Sequence, residues 1–258
     1  MNGTAVKFRI KVFSFLFLFS ILISSSYPRQ IYGFDRISLS GYFANNSEYD
    51  KFIKEFGSAI SFYQNLPAES LGLFGWDISV NLKTANIKEN KSIWKNATGD
   101  GSKKTSGFLY YPQLIITKGI PCNIDLSASY SPISGAGISL ISGAVKWEFI
   151  EGNTLIPAFS IRGAYSKLIK KTNFSMDDIN ISLSVSKGIT ILTPYAFTGF
   201  NRSKISSVSV IGASLKDKSE NSFFYGAGVK CSAGVINFNG SAVFSDIPVY
   251  SLSASFGF

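Results

Sequence analysis

The chain contains no histidine among its 258 residues. Imidazole is the commonest general base and orients the nucleophile in catalytic triads, so its absence excludes the mechanisms that need a histidine in either role. No group of acidic residues has the spacing of metal ligands. Composition does not exclude a glycosidase-type carboxylate pair, but no feature of the sequence indicates one. The sequence therefore predicts a protein that is not an enzyme and holds no cofactor.

Long apolar runs are also missing after residue 26. A transmembrane helix needs about 20 predominantly apolar residues, so none is predicted. Yet 45% of the residues are hydrophobic, 15% are aromatic and only 16% are charged. Because the hydrophobic residues recur at every second position, this composition is typical of a transmembrane β-barrel. A secreted soluble β-sandwich or lipocalin-like barrel is the alternative.

Cysteine is scarce, with only Cys122 and Cys231 in the chain. Two such distant cysteines do not indicate a disulfide framework. Cys122 alternates with Ile124, and Cys231 with Val229, so both are predicted to face lipid from barrel strands. We interpret them as small hydrophobic residues that form neither a disulfide nor a metal site.

The N-terminus has the one long apolar run, over residues 12–23, preceded by Lys7, Arg9 and Lys11 and followed by three serines. This order predicts a secretory signal peptide over residues 1–26. The run is short for a membrane anchor. Residues 27–72 are then predicted to be a periplasmic N-terminal segment, and residues 73–258 the barrel.

Ten strands are predicted from the alternation of polar and apolar residues and from Gly, Asn and Pro at the junctions. They cover residues 73–86, 107–117, 122–131, 137–149, 154–167, 178–187, 191–202, 221–232, 235–245 and 249–258. With a periplasmic C-terminus, four tight turns face the periplasm and the long connections 87–106, 168–177 and 203–220 face outside, as in other membrane barrels. A strand at 205–215 paired with 56–64 would make twelve.

An amphipathic helix is predicted within the N-terminal segment. Asn46-Ser-Glu48 is a candidate cap, and apolar residues recur at helical spacing in Tyr49, Phe52, Ile53, Phe56 and Ile60. The preferred interpretation is a lead-in that packs against the periplasmic rim of the barrel. The alternative is a segment that lies in the barrel mouth and limits passage.

The last strand places Tyr250, Leu252, Ala254, Phe256 and Phe258 on one face. It resembles the terminal strand of bacterial outer-membrane β-barrels, which ends on an aromatic residue. The resemblance implies location in the outer membrane of a Gram-negative-type bacterium. It also implies that Tyr250, Leu252, Phe256 and Phe258 form the signal that the barrel assembly machinery recognises.

Several short motifs lie at turns and strand edges, among them Phe56-Gly-Ser-Ala-Ile60, Pro67-Ala-Glu-Ser-Leu-Gly-Leu-Phe-Gly75, Ile161-Arg-Gly-Ala-Tyr165 and Ser186-Lys-Gly188. They resemble a group of uncharacterised bacterial outer-membrane proteins over roughly residues 56–202 and the last strand. The function of that group is unassigned. The resemblance therefore supports the barrel fold and implies no activity.

Alternation directs a set of charged side chains into the barrel: Asp77, Lys83, Asp125, Lys146, Glu148, Arg162 and Lys230. They line a narrow aqueous path, or they form an internal network that closes the lumen, since buried charges must be paired. Ten strands enclose little more room than eight, which favours the closed or narrowly gated barrel. The predicted inward apolar residues are Phe200, Phe224, Val235 and Val243.

The external connections are basic, and the 87–106 connection alone carries five lysines. These are solvated loop tips, or they bind lipopolysaccharide phosphates or another anionic ligand. The expected partners are outer-membrane lipid and lipopolysaccharide, the barrel assembly machinery and small solutes. Nucleic acid is not expected, because the aromatic residues face lipid and are not interleaved with the lysines.

The sequence as a whole predicts an integral outer-membrane barrel with a structural or surface role, or a narrow, porin-like channel for small solutes. The alternative is a transporter of hydrophobic solutes in which residues 47–66 form the plug. That alternative requires an apolar inner pocket.

Overall fold

A computed structural model describes residues 46–87, 108–133, 138–169, 175–206, 208–210, 213–215 and 217–257. Ten antiparallel strands form a closed barrel, in which β1 pairs with both β2 and β12. The barrel strands are β1 (Trp76–Asn86), β2 (Phe108–Ile120), β3 (Ile124–Ile133), β4 (Ile138–Ile150), β5 (Ala158–Ile169), β6 (Ser175–Ser186), β7 (Leu192–Ser206), β10 (Lys218–Ala233), β11 (Ile236–Phe244) and β12 (Val249–Gly257). The predicted antiparallel up-and-down barrel of ten strands with one short helix is confirmed.

The region between β7 and β10 decides between ten and twelve barrel strands. Ile205 and Ser206 extend β7, whereas β8 (Val208–Val210) and β9 (Ala213–Leu215) pair only with each other. Residues 56–60, the other half of the proposed extra pair, belong to a helix. The twelve-strand alternative is therefore wrong.

The two ends of the barrel differ in the length of their connections. One end, here called the turn end, carries the connections 121–123, 151–157, 187–191 and 234–235, together with the start of β1 and the end of β12. The other, the loop end, carries the connections 134–137, 170–174 and 245–248 and the two longest ones, 87–107 and 207–217. Cys122 lies in the first of these turns with a φ of 65°, so the prediction that it faces lipid from a strand is wrong. Cys231 lies on β10 and is half-buried.

Side chains alternate between the two faces of the wall along most of each strand, with an irregularity between Glu148 and Ile150 of β4. On β5, Arg162, Ala164 and Ser166 are buried inside, while Gly163 and Tyr165 are exposed outside. The outer face is apolar and carries aromatic residues in two groups. Near the turn end lie Trp76, Trp147, Phe149 and Phe238, and toward the loop end lie Phe108, Tyr110, Tyr130, Tyr165, Phe200, Phe223, Tyr225, Phe244 and Tyr250.

Helix α1 (Asn46–Ile60) and residues 61–68 lie inside the barrel, and residues 69–75 lead on to β1 at the turn end, where Leu73 and Phe74 are exposed. We call residues 61–75 the strap, and α1 with the strap the plug. The helix packs against β6, β7 and β10, and its apolar side chains Phe52, Ile53, Phe56 and Ile60 are fully buried. The described part of the N-terminal segment thus occupies the lumen, which differs from the preferred interpretation of a lead-in against the rim.

Among the described residues, no helix is long and apolar enough to cross a membrane. Other predictions concern residues outside the described ranges. These are the signal peptide 1–26, residues 27–45, most of the lysine-rich external connections and Phe258.

Candidate functional site

The helix lies at the loop end and packs closely against the wall. Gly57 packs so closely on β7 that an added Cβ would lie 2.5 Å from the Cβ of Ser203. Two ion pairs tie the solvent side of the helix to the start of β10, Lys54 with Glu220 at 3.7 Å and Asp50 with Lys218. The helix therefore has a specific seat at this mouth.

Polar contacts also fix the C-terminal half of the helix. The Ser58 hydroxyl lies 3.1 Å from the hydroxyl of Ser245 and 3.4 Å from a carboxylate oxygen of Asp246, both in the connection between β11 and β12. Ser222 of β10 donates to the same carboxylate. At the other end of the helix, burial raises the pKa of Tyr49, and the carboxylates of Asp217 and Asp50 raise it further. That hydroxyl therefore stays neutral.

On the turn-end side of the helix, two positively charged side chains of the wall bind the first residues of the strap. The Lys83 ammonium donates to the carbonyl oxygen of Ser61 at 3.0 Å, and the Arg162 guanidinium donates to that of Phe62 at 2.6 Å. Asn180 also donates to the Phe62 carbonyl, at 3.2 Å. Backbone carbonyls that leave water need such donors, so the wall satisfies the strap where it enters the lumen.

The middle of the strap is held by uncharged side chains. Asn239 donates to the Asn65 carbonyl at 2.7 Å, and the amide of Ala68 donates to the Ser186 hydroxyl at 3.0 Å. Gln64 of the strap donates to Ser184 at 3.0 Å. These contacts come from β6 and β11, so the strap runs between separate parts of the wall.

Near the turn end the wall is charged again. Lys146 donates to the carbonyls of Pro67 and Glu69 at 2.8 and 2.6 Å and forms an ion pair with Asp125 at 3.0 Å. Asp125 and Glu148 in turn accept the amides of strap residues 71 and 70, at 3.0 and 2.8 Å. The wall therefore supplies donors to strap carbonyls and acceptors to strap amides along the whole lumen.

The structure places the predicted luminal residues as follows. Six of them are buried on the inner face: Asp77, Lys83, Asp125, Lys146, Glu148 and Arg162. Lys230 is half-buried on the same face near the turn end. Asp77 instead accepts a hydrogen bond from Ser255 of β12 at 2.7 Å. Five of the six hydrogen-bond to the strap directly, and Lys83 and Arg162 do so at consecutive carbonyls.

Two of the four apolar residues that were predicted to point inward do so. Phe224 and Val243 are buried inside, but Phe200 and Val235 are exposed, which corrects the prediction for both. Val235 lies in a turn, and β7 carries aromatic residues on both faces, so its alternation does not identify the inner face. A slip of one residue reverses every side chain of a strand.

The inner face of β7 and β10 contains aromatic residues that sequence reasoning missed. Tyr195 and Phe197 are buried there, and their rings lie over Gly228 and Gly226, where an added Cβ would come within 2.4 and 2.6 Å of ring carbons. Glycine opposite an aromatic residue on a neighbouring strand is the signal that could have found them. Other inward residues missed by the prediction are Tyr111, Gln113, Ile115, Met176, Asp178, Asn201 and Ile205.

The part of the lumen near the loop end is therefore apolar, and the part near the turn end is polar. One buried cluster joins the apolar residues of the helix to wall residues Leu109, Tyr111, Ile133, Leu140, Leu168, Met176, Tyr195, Phe197, Ile205, Phe224, Val243 and Val249. Across the described ranges, no group of three His, Cys, Asp or Glu side chains is placed to hold a metal ion.

No protein-family model matches the chain, and no curated protein matches it. Among solved structures it is similar to the attachment invasion locus protein Ail of Yersinia pestis, with a TM-score of 0.35 and 15% identity over 72% of this chain and 99% of that one. The N-terminal β-barrel domain of Pseudomonas aeruginosa OprF gives a TM-score of 0.36 and 11% identity, over 72% and 99% of the chains. The KdgM porin gives 0.37 and 7%, over 70% and 99%. These similarities assign no function.

Proposed function

We propose that the protein is an integral outer-membrane barrel, with the turn end in the periplasm and the loop end at the cell surface. The apolar outer face and its two groups of aromatic residues support a membrane location. Near the turn end, the Lys118 ammonium lies 4.9 Å from the Trp76 ring centroid, as expected of an anchor at the interface with water. Short periplasmic turns and longer external loops are the usual arrangement in these barrels.

Within the membrane, the barrel acts as a surface-exposed, narrowly gated channel for small solutes that its own plug closes. The observation that carries this proposal is the continuous binding of strap backbone groups by wall side chains, from Ser61 to Leu71. A strap held in this way occupies the lumen as part of the fold. Solutes pass only when the plug moves, because the strap and the helix fill the space that the strands enclose.

The orientation of the helix follows from the same arrangement. Because α1 begins at the loop end and the strap reaches β1 at the turn end, the start of the helix faces the cell surface in this proposal. The external loops and the helix then form one surface, whose ligands among lipopolysaccharide phosphates or other anions stay a prediction.

Planar-bilayer recordings test the channel. The refolded barrel with its plug is expected to stay closed for long periods and to open briefly, whereas a variant that lacks residues 46–66 is expected to conduct steadily. Heat-modifiable gel mobility shows whether each protein is folded. Silence from both folded proteins contradicts the channel and leaves a purely structural or surface role.

The second candidate is a transporter of hydrophobic solutes. The apolar part of the lumen near the loop end favours it. If the helix moves away, inward side chains such as Tyr111, Phe197 and Phe224 form an apolar inner surface near the loop end. The test compares the uptake of a hydrophobic fluorescent probe by cells that carry the intact chain or a deletion of residues 47–64. Equal uptake by both contradicts this candidate.

A further inference from the structure

The wall beside the helix contains a buried carboxylate that lacks a cationic partner. Asp178 on β6 is fully buried. Its Oδ2 accepts from Asn201 at 3.2 Å and from Ser203 at 2.7 Å, while its Oδ1 has no hydrogen-bond partner. Among the described residues, no Lys or Arg nitrogen lies within 4.0 Å of it. A buried charge in this state is strongly unfavourable unless something neutralises it.

Four more oxygen atoms around Asp178 are buried without a partner: Asn180 Oδ1, Asn201 Oδ1, Ser142 Oγ and Ser166 Oγ. The orientation of both amides is fixed by their nitrogens. Asn201 Nδ2 donates to the carboxylate, and Asn180 Nδ2 donates to the Phe62 carbonyl at 3.2 Å. The atom left over in each amide is therefore the carbonyl oxygen.

Strand pairing brings these five residues together. Asp178 lies opposite Ser166, Ser166 lies opposite Ser142, and Asn180 lies opposite Asn201. Directly opposite residues have Cβ atoms about 4.5–5.5 Å apart. All five side chains point inward and form a patch on the inner face of β4, β5, β6 and β7, in which Ser166 lies directly opposite Asp178, and Asn180, two residues along β6, is on the same face.

We propose that this patch binds a monovalent alkali cation, sodium or potassium. Carboxylate, amide carbonyl and hydroxyl oxygens are the ligands of hard cations. The single carboxylate gives the site one negative charge, which one monovalent cation neutralises. Sites for divalent cations generally combine several carboxylates, and Asp178 is the one acidic residue of the patch.

Lys83 is the wall cation that could otherwise neutralise Asp178, but its ammonium is engaged elsewhere. It donates to the Ser61 carbonyl and lies about equally far from three aromatic rings, at 5.8 Å from Phe62, 5.9 Å from Tyr63 and 6.0 Å from Tyr111. Lys83 therefore forms no direct ion pair with Asp178, whose carboxylate has room for a small cation at Oδ1.

The position of the patch gives the ion a role in closing the barrel. Asn180 donates to the Ser61 hydroxyl at 2.9 Å, and Ser203 packs against Gly57. The patch thus contacts the plug where the helix becomes the strap. A bound cation orders the side chains that hold this junction and stabilises the closed state.

Unfolding measured in sodium, potassium and choline chloride at equal ionic strength tests the site. The intact barrel, refolded in each salt, is expected to unfold at a higher temperature in sodium or potassium than in choline, with a midpoint that rises with the logarithm of the cation concentration. Asp178→Asn is expected to lose this difference. In choline its unfolding temperature should equal or exceed that of the intact barrel. Asp177→Asn, one residue away, keeps the difference because Asp177 bonds Tyr165 on the other side of the strand.

Equal midpoints of the intact barrel in all three salts overturn the proposal and leave a buried water cluster only. Loss of stability by Asp178→Asn to the same extent in every salt also overturns it, because a purely structural carboxylate behaves in that way. If Asp178→Asn does not fold, crystals of the intact barrel grown with thallium(I) decide. An anomalous peak beside Asp178 Oδ1 supports the site, and its absence contradicts it.

Discussion

Lys83 and Arg162 come from strands that are four positions apart around the barrel, yet they bind consecutive carbonyl oxygens of the strap. Both also face the Phe62 ring, whose centroid lies 5.8 Å from the Lys83 nitrogen and 4.6 Å from the Arg162 guanidinium carbon. Neither forms an ion pair within the described part of the chain. Their charges are therefore accommodated by the plug itself.

Phe62 should consequently contribute more to the unfolding free energy than its buried volume alone predicts. Phe62→Ala is expected to cost about 3–5 kcal/mol of unfolding free energy through the cavity it leaves. Phe62→Leu retains most of the bulk but removes the cation–π contacts, at a further cost of about 0.5–2 kcal/mol beyond its packing change. Urea unfolding measures both. The control is Phe74→Ala in the same strap, since Phe74 is 83% exposed and should be close to neutral.

Gly57 tests the seat of the helix. Gly57→Ala places a methyl group against Ser203 and is expected to cost about 1–3 kcal/mol through overpacking. Compared with Ser203→Gly alone, which loses the hydrogen bond from Ser203 to Asp178, the double variant should show little further loss, because the obstructing side chain is gone. Gly163→Ala is the matched control, since nothing lies within 4 Å of the added Cβ. A further loss in the double variant as large as that caused by Gly57→Ala alone would show that the helix does not contact β7 in this way.

The ion pair between Lys146 and Asp125 tests the lower part of the strap. Lys146→Met leaves Asp125 buried without its cation, which is expected to cost about 3–5 kcal/mol. Adding Asp125→Asn should recover part of this loss, because the side chain at position 125 then carries no charge. Lys167→Met on β5, where the lysine is exposed, should change the urea midpoint little. A double variant that is less stable than Lys146→Met would contradict the pairing.

Thiol labelling of intact cells tests the direction of the plug. Lys51→Cys on the exposed side of α1 and Lys204→Cys at the loop end should react with a membrane-impermeant maleimide, in a background with Cys231→Ser. The native Cys122 at the turn end should react only after permeabilisation. Labelling at position 204 without labelling at position 51 would place the start of the helix away from the cell surface.

The strands could be predicted from sequence because alternation and turn residues are local signals. The predicted and observed starts of most strands differ by only a few residues, as for β1, predicted from residue 73 and observed from Trp76. The same alternation predicted inward positions for Lys83, Lys146 and Arg162, and the structure buries all three side chains. Local patterns therefore sufficed for the wall.

The position of the plug could not be predicted in the same way. The helical spacing of Phe52, Phe56 and Ile60 shows that one face must be covered but does not identify the surface that covers it. That surface includes Phe197, Met176 and Ile205, residues of β6 and β7 that are more than 100 positions away in sequence. β6 begins before its predicted start at residue 178, and β7 ends after its predicted end at residue 202. Met176 and Ile205 therefore lay outside the predicted strands.

The central claim, that the plug closes the lumen and must move for solutes to pass, is tested most directly by locking it in place. The hydroxyls of Ser58 and Ser245 are 3.1 Å apart, so Ser58→Cys and Ser245→Cys should form a disulfide between helix and wall. Cys122→Ser and Cys231→Ser remove competing thiols. A wall disulfide between Thr117→Cys and Ser127→Cys, whose hydroxyls are 2.9 Å apart, is the control.

Single-channel recording of the oxidised Ser58–Ser245 variant should show no openings, and reduction of the disulfide should restore them. The wall disulfide should leave the openings unchanged in both redox states. Equal conductance of the oxidised and reduced plug variants would contradict the account, because it would show that solutes pass without movement of the helix.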